Sequence, residues 1–239
     1  MSIITKMYKT KFKEYLSPLG FILYRKTFYR IVNDVVQTLM LNNQDNAYTV
    51  HFGITPLFIK IQNLHIEGHE IHHLRKDGFM RVPGFICGDK LWYNYCPFAM
   101  TKLSTTDGEK VADEMLDIII THVFPILERG NNCMAGSIEM RKYYEFVCDI
   151  HDIPLPANND ILYISHYCYI KLGEYENAIA LLQKRMQASE HWKKFYSKDF
   201  ELLTAGNIEY FDKLFAENEA KSREYLSNPR KYKQEHGAM

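Results

Sequence analysis

The sequence predicts an α+β fold: an antiparallel β-sheet flanked by helices, followed by an all-α helical-hairpin part. Three observations carry this. Three β-rich runs follow one another within the first 55 residues, separated by turn-forming residues. Apolar residues at helical spacing precede them, and beyond Gly130 every periodic segment has the helical spacing. The expected division is therefore 1–130, an α+β domain with the antiparallel sheet, and 131–239, a helical-hairpin domain with a polar C-terminal tail.

In chain order, Ile4, Met7 or Tyr8, Phe12, Tyr15 or Leu16 and Leu19 define one helical stripe, which Ser17-Pro18-Leu19-Gly20 ends with a breaker and a residue tolerant of left-handed backbone. A first helix is expected from about Ile3 to Leu16. The β-rich runs are Phe21–Val32, Val35–Asn42 and Tyr48–Thr55, with Asn33-Asp34 as a tight turn and Asn42 to Asn46 as a polar loop. A two-residue turn at 33–34 pairs Val32 with Val35, Arg30 with Gln37 and Phe28 with Leu39. The alternation Tyr48, Val50, Phe52, Ile54 fixes the apolar face of the third strand. Arg30 and Gln37 then lie among Phe28, Leu39, Val50 and Phe52, where a guanidinium needs partners and a carboxamide can supply one. A buried, register-fixing pair is favoured over a ligand site, although both residues are retained as binding candidates.

Residues 56–98 are punctuated by Gly68, Gly78, Gly84, Gly88, Pro83 and Pro97, which leaves room for one or two strands or a short helix. From Asp107, the expected N-cap, a helix carries Val111, Met115, Ile118 or Ile119 and Ile126, and Pro125 should bend or end it. Arg129-Gly130-Asn131-Asn132 is a stop signal. Later helices are expected at Ile138–Ile150 and Asp199–Phe215, and Lys221–Met239 reads as a frayed helix or tail.

Composition narrows the function classes. With 46% apolar and 24% charged residues the chain is globular, which excludes disordered and collagen-like architectures. Lys plus Arg and Asp plus Glu are 29 each, so no long-range field favours nucleic acid, anionic membrane or acidic substrates. Met1 to Lys13 has neither the apolar core nor the cleavage site of a secretory signal, and no stretch has the roughly 20 apolar residues of a membrane span. Five cysteines without regular spacing suit reduced thiols and a cytoplasmic protein.

Two segments resemble known families. Leu19-Gly20-Phe21, Thr27-Phe28-Tyr29-Arg30, Asp34-Val35-Val36-Gln37, Phe52-Gly53-Ile54, Asp89-Lys90-Leu91-Trp92 and the late helix with Pro125 resemble, in order and spacing, the bacterial domain-of-unknown-function family 4304. That resemblance implies a curved antiparallel sheet with helices before and after it, and a recurring Phe, Arg and Gln that coincide with the Arg30–Gln37 pair. It implies no activity. Residues 159–187 resemble a tetratricopeptide repeat through Leu162, Tyr169, Leu172-Gly173, Tyr175, Ala178 and Leu182, with His166 departing from the small residue expected there. The repeat implies a helix–turn–helix whose apolar face neighbouring helices must cover. Its tyrosines, Tyr169 and Tyr175 among them, suit a partner-binding concavity.

No residue set specifies a reaction. His69-Glu70-Ile71-His72-His73 has the spacing of a zinc metalloprotease helix, in which two histidines one turn apart hold metal and the glutamate activates water. Gly68 before it and Arg75-Lys76-Asp77-Gly78 after it interrupt the helix this requires, and no third ligand is indicated. A zinc-dependent hydrolase using His69, Glu70 and His73 is therefore the alternative reading. Cys148-Asp149-Ile150-His151-Asp152 brings a thiol near an imidazole without an oxyanion hole and reads as a helix end. No glycine-rich phosphate loop is present. A basic, aromatic opening, in which Glu14 is the only acid among the first 33 residues, allows a third reading, nucleic-acid binding, against which the balanced charge argues. The expected function is non-catalytic protein binding of a regulatory, scaffold or immunity type. The partner is another protein or a second copy of the chain, with no cofactor and no membrane.

Overall fold

A computed structural model describes residues 3–44, 47–59, 105–150 and 166–236. The chain opens with helix α1 (Ile3–Met7), a π-helical turn (Tyr8–Phe12) and α2 (Lys13–Leu16), one continuous rod over the expected range. Its end follows from its sequence. Ser17–Leu19 tightens into a 3-10 turn, and Gly20 turns left-handed at φ 84°, so that its own N–H and that of Phe21 close back on Ser17 and Leu16.

Four strands follow: β1 (Ile22–Tyr24), β2 (Thr27–Val32), β3 (Val35–Gln44) and β4 (Ala47–Pro56), an antiparallel sheet in the order β1-β2-β3-β4. The pairs Val32–Val35, Arg30–Gln37 and Phe28–Leu39 form as the turn at Asn33-Asp34 dictates. The first β-rich run is not one strand. It folds on itself at Arg25-Lys26, where Arg25 takes φ 56° and stacks over Tyr24, which itself pairs with Thr27. Nothing in a Tyr-Arg-Lys-Thr sequence announces such a turn, because neither central residue favours left-handed backbone. The loop expected at Asn42 to Asn46 is instead mostly strand, with pairing out to Gln44 and Ala47.

Of the region 56–98 expected to hold further strands or a helix, Pro56 ends β4 and 57–59 form a turn, and the rest lies outside the described residues. Helix α3 (Thr105–Ile118) starts two residues before Asp107, which therefore sits in the first turn rather than at the cap. Pro125 acts through the turn before it. Lacking an N–H, it cannot continue the ladder, and the π-helical turn Ile119–Val123 absorbs the mismatch before α4 (Phe124–Arg129). Asn132 then caps α5 (Cys133–Ile150) by accepting from the Ala135 N–H.

The remaining helices among the described residues are α6 (His166–Lys171), α7 (Tyr175–Ala188), α8 (Glu190–Thr204), α9 (Ile208–Ser227) and α10 (Pro229–His236). The helix expected over Asp199–Phe215 is broken at Ala205-Gly206-Asn207. Gly206 has φ 73°, and Asn207 caps α9 by accepting from Tyr210 N–H.

One sheet face buries Phe28, Leu39, Leu41, Phe52 and Ile54 against Tyr8 and Phe12 of the first rod, Ile119 and Val123, and Tyr143 of α5. The same apolar cluster continues through Cys168 and Ala178 to Phe211 and Phe215, so helices from 133 onward share it with the sheet. The opposite face buries Tyr24, Tyr29, Val36 and Leu57 under Tyr225, Leu226 and Tyr232. The segment expected to be a frayed helix or polar tail is thus the end of α9 and all of α10, docked on the sheet. Tyr29 donates to Leu226 O (2.7 Å), Ser222 to Leu57 O (2.8 Å), Asn218 to Phe58 O (3.1 Å) and Arg223 to Asn33 O (2.8 Å). Its few apolar residues recur at 225, 226, 229 and 232, a narrow stripe that a polar average conceals.

Candidate functional site

Arg30 and Gln37 meet as the strand register requires. Gln37 is fully buried and its Oε1 accepts from Arg30 Nε at 2.8 Å. Its Nε2 donates to the carbonyls of Leu127 and Gly130 at the end of α4. Arg30 is half-buried, donates to Leu19 O at 3.0 Å and lies 4.6 Å over the Phe21 ring. Burial lowers the guanidinium pKa, opposed by the charge of Glu128. Three elements are pinned by this pair: the end of the first helical rod, the sheet, and the end of α4. Both polar atoms of the Gln37 carboxamide are engaged within the chain, which makes the pair a structural clasp.

The helical part builds a second polar cluster. Gly173, at φ 75°, turns the chain between α6 and α7, and Ala178 and Leu182 of α7 are fully buried. His166, at the start of α6, is buried between Asp199 of α8 and Arg185 of α7. Its Nε2 lies 3.1 Å from Asp199 Oδ2, which also accepts from the Tyr167 hydroxyl at 2.6 Å. Its Nδ1 lies 3.2 Å from Arg185 Nη1. Because a guanidinium only donates, Nδ1 must be the acceptor and Nε2 must carry the proton, so the imidazole is neutral. Burial, with the nearby Arg185 charge, holds its pKa at about 4. Burial raises the Asp199 carboxyl, but His166, the Tyr167 hydroxyl and the charge of Lys198 together outweigh it and bring it below the usual carboxylate range. The result is a cation and an anion bridged by a neutral ring. Both ring nitrogens are engaged and the residue is 2% exposed, so His166 has no position from which to act as a general base.

That relay supports a surface feature. Arg185, 1% exposed, stacks 5.2 Å from the Tyr196 ring and 5.9 Å from the Trp192 ring. Outside those rings is a shallow cavity of about 140 Å³ lined by His191, Trp192, Phe195 and Tyr196. These four positions share one face at the start of α8 because they lie one and four residues apart. Ser189 fixes where that helix begins, accepting from Trp192 N–H at 3.2 Å. Phe195 packs edge-on to Tyr196 at 4.8 Å yet remains 52% exposed, a large apolar side chain standing in water.

Of the residues singled out by sequence, Tyr169 is half-buried in α6 with its hydroxyl pKa raised chiefly by burial, whereas Tyr175 is exposed at the start of α7, across the Leu172-Gly173-Glu174 turn. His69, Glu70 and His73 lie outside the described residues, as do Leu162, His151 and Asp152. Among the described residues no three His, Cys, Asp or Glu side chains converge as a metal site, and no helix is long and apolar enough to cross a membrane. Cys133 and Cys168 are buried free thiols on α5 and α6, and their mutual hydrogen bond, with burial, pushes the Cys133 thiol far above its ordinary value. The sequence reading missed the Trp192–Phe195 face. Its signal was present in His191-Trp192-Lys193-Lys194-Phe195-Tyr196, three aromatic residues bracketing two lysines at the start of an amphipathic helix. Comparison with protein-family models, curated proteins and solved structures finds no match.

Proposed function

We propose that this chain is a non-catalytic protein-binding module, of a regulatory, scaffold or immunity type, that docks another protein on its helical part. The observation that carries this reading is the exposed aromatic face of α8, held from behind by a buried ion relay. An exposed Phe beside a half-buried Trp loses free energy in water, and a fold that fixes both rings in place has prepared a surface for contact. The helix–turn–helix around Gly173, with small Ala178 at the helix crossing, supports the tetratricopeptide-like reading of this region, a class of architecture that presents grooves. Cytoplasmic residence and kinship with the family-4304 domains belong to the same proposal. The two polar clusters described are each satisfied within the chain, which favours a folding role for their charges.

The test is affinity capture from native lysate with the whole chain, followed by direct binding to the captured protein after purification, with size analysis to detect self-association. A partner that rebinds in pure form, and is lost with Phe195→Glu, is the expected result. Recovery of neither a partner nor a self-associated form contradicts the proposal. Stoichiometric zinc with hydrolytic turnover, both abolished in a His69→Ala, His73→Ala variant, would replace it.

A further inference from the structure

The cavity at the start of α8 has a size, a charge and a rigidity that together select its guest. An engineered apolar cavity of about 150 Å³ takes up benzene, so about 140 Å³ accommodates one ring. Sites for whole small-molecule ligands run from roughly 300 to 1,000 Å³. A single anchoring side chain fits this cavity, and a metabolite does not.

Charge narrows the choice further. Between residues 184 and 198 stand Lys184, Arg185, Lys193, Lys194 and Lys198 against Glu190 alone, in a chain whose total charge balances. Glu190 is already 3.5 Å from Lys193. On the helix surface, Lys194 and Lys198 follow one another at four residues beside Phe195, with the Lys198 ammonium 5.1 Å from the Tyr210 ring of α9. Behind the rings sits the Arg185 guanidinium, so the inner faces of Trp192 and Tyr196 already hold a cation. Asp199 follows directly after Lys198, but it is turned inward to the His166 relay, so a cationic guest, such as a methylated lysine, would meet mostly like charge at this face. An anionic neighbourhood around an apolar anchor meets the opposite.

Resting on the protein-binding reading, we propose that the pocket formed by Trp192, Phe195 and Tyr196 receives one aromatic side chain from an acidic segment of a partner protein, with Lys194 and Lys198 pairing its flanking carboxylates. Arg185, fixed by His166 and Asp199, holds the floor rings so that docking orders only the guest. A single-ring cavity also favours a peptide over a nucleic-acid strand, which binds by stacking successive bases along a groove.

The test uses the full chain and four probes: a blocked peptide with one phenylalanine between two runs of glutamate, the same peptide with lysine runs, the same peptide with glycine at its centre, and an oligothymidylate. Binding is followed by the indole N–H resonance of Trp192 in proton–nitrogen spectra, assigned with Trp192→Phe and so separated from Trp92. Only the glutamate–phenylalanine peptide is expected to shift that resonance saturably, with affinity falling as salt rises. Phe195→Ser is expected to weaken it by at least about tenfold, as for a central anchor pocket. Lys194→Glu with Lys198→Glu weakens the acidic peptide and improves the lysine one. Phe195, Lys194 and Lys198 are exposed, so these variants stay folded, which their melting curves verify before binding is compared. Equal response to the lysine peptide, response to the oligothymidylate alone, or no shift at millimolar peptide overturns the proposal. If the probes fail while the whole chain still captures a partner that Phe195→Ser retains, protein binding stands and this pocket does not.

Discussion

Gln37 shows how much a single residue can organise. Its carboxamide accepts from Arg30 and donates to two carbonyls at the end of α4, with the side chain fully buried. Gln37→Ala leaves those groups unpaired beside a small void, and denaturant melts should show a loss of about 2 to 4 kcal/mol. Arg30→Ala should cost less because Arg30 is half-exposed, and the double variant should cost less than the sum of the single ones. The pairing of these two residues was legible in the sequence because a two-residue turn fixes register. The carbonyls that complete the clasp were not, since they come from residues 90 and more positions away. His166 gives a second residue-scale test. Its folded pKa of about 4 lies below the ordinary 6.5, so between those values the unfolded chain binds more protons and stability rises with pH. The contribution is complete above pH 6.5 and is lost as pH falls toward 4, by up to about 3 kcal/mol at 1.36 kcal/mol per pKa unit. Melts at pH 7.5 and 5 should show this loss in the wild type and a shallower one in His166→Gln.

At the scale of elements, helix ends were read well wherever a breaker marks them, as at Gly20, Gly130 and Gly173. A helix break was missed where a single glycine splits a periodic run, as at Gly206, and a strand turn where the cue is weak, as at Arg25-Lys26. Gly130 has a further duty that no periodicity reveals. A β-carbon there would overlap Ile54 Cδ1, the end of a side chain from β4, and crowd the backbone at Ile126 O (3.1 Å) and Gly136 Cα (3.3 Å), so both must give way where α4 and α5 pass over the sheet. Gly130→Ala should therefore destabilise by about 1 to 3 kcal/mol, the range for overpacking a filled core. Ile54→Val in the same chain should recover part of that loss, which thermal melts of the single and paired variants would reveal. The turn at Asn33-Asp34 joins this junction: Asp34 Oδ1 accepts from Cys133 N–H, and Asn33 donates to Asn131 O. The β2–β3 hairpin thus positions the entry of α5, a coupling between distant segments that local sequence does not encode.

Over the whole molecule, the order of sheet then helices was legible, but the return of the last helices across the sheet was not. Polar composition after Lys221 concealed the apolar stripe through Tyr225, Leu226 and Tyr232. Ending the chain after Glu219 removes those residues and exposes Tyr29, Val36 and Leu57, so the shortened protein should bind a hydrophobic dye and lose its cooperative melt. A freely solvated tail would allow the same truncation without effect. The helical part thereby has two roles, closing the core and carrying the exposed α8 face. Only the second bears on the proposed binding, and it isolates one side chain for the decisive comparison. Titration of the purified captured partner against wild type and Phe195→Glu, with melting temperatures confirmed equal, tests the account directly. A Kd at least about thirtyfold weaker is expected for the variant, the loss of a hot-spot anchor worth roughly 2 kcal/mol. An unchanged Kd would contradict it.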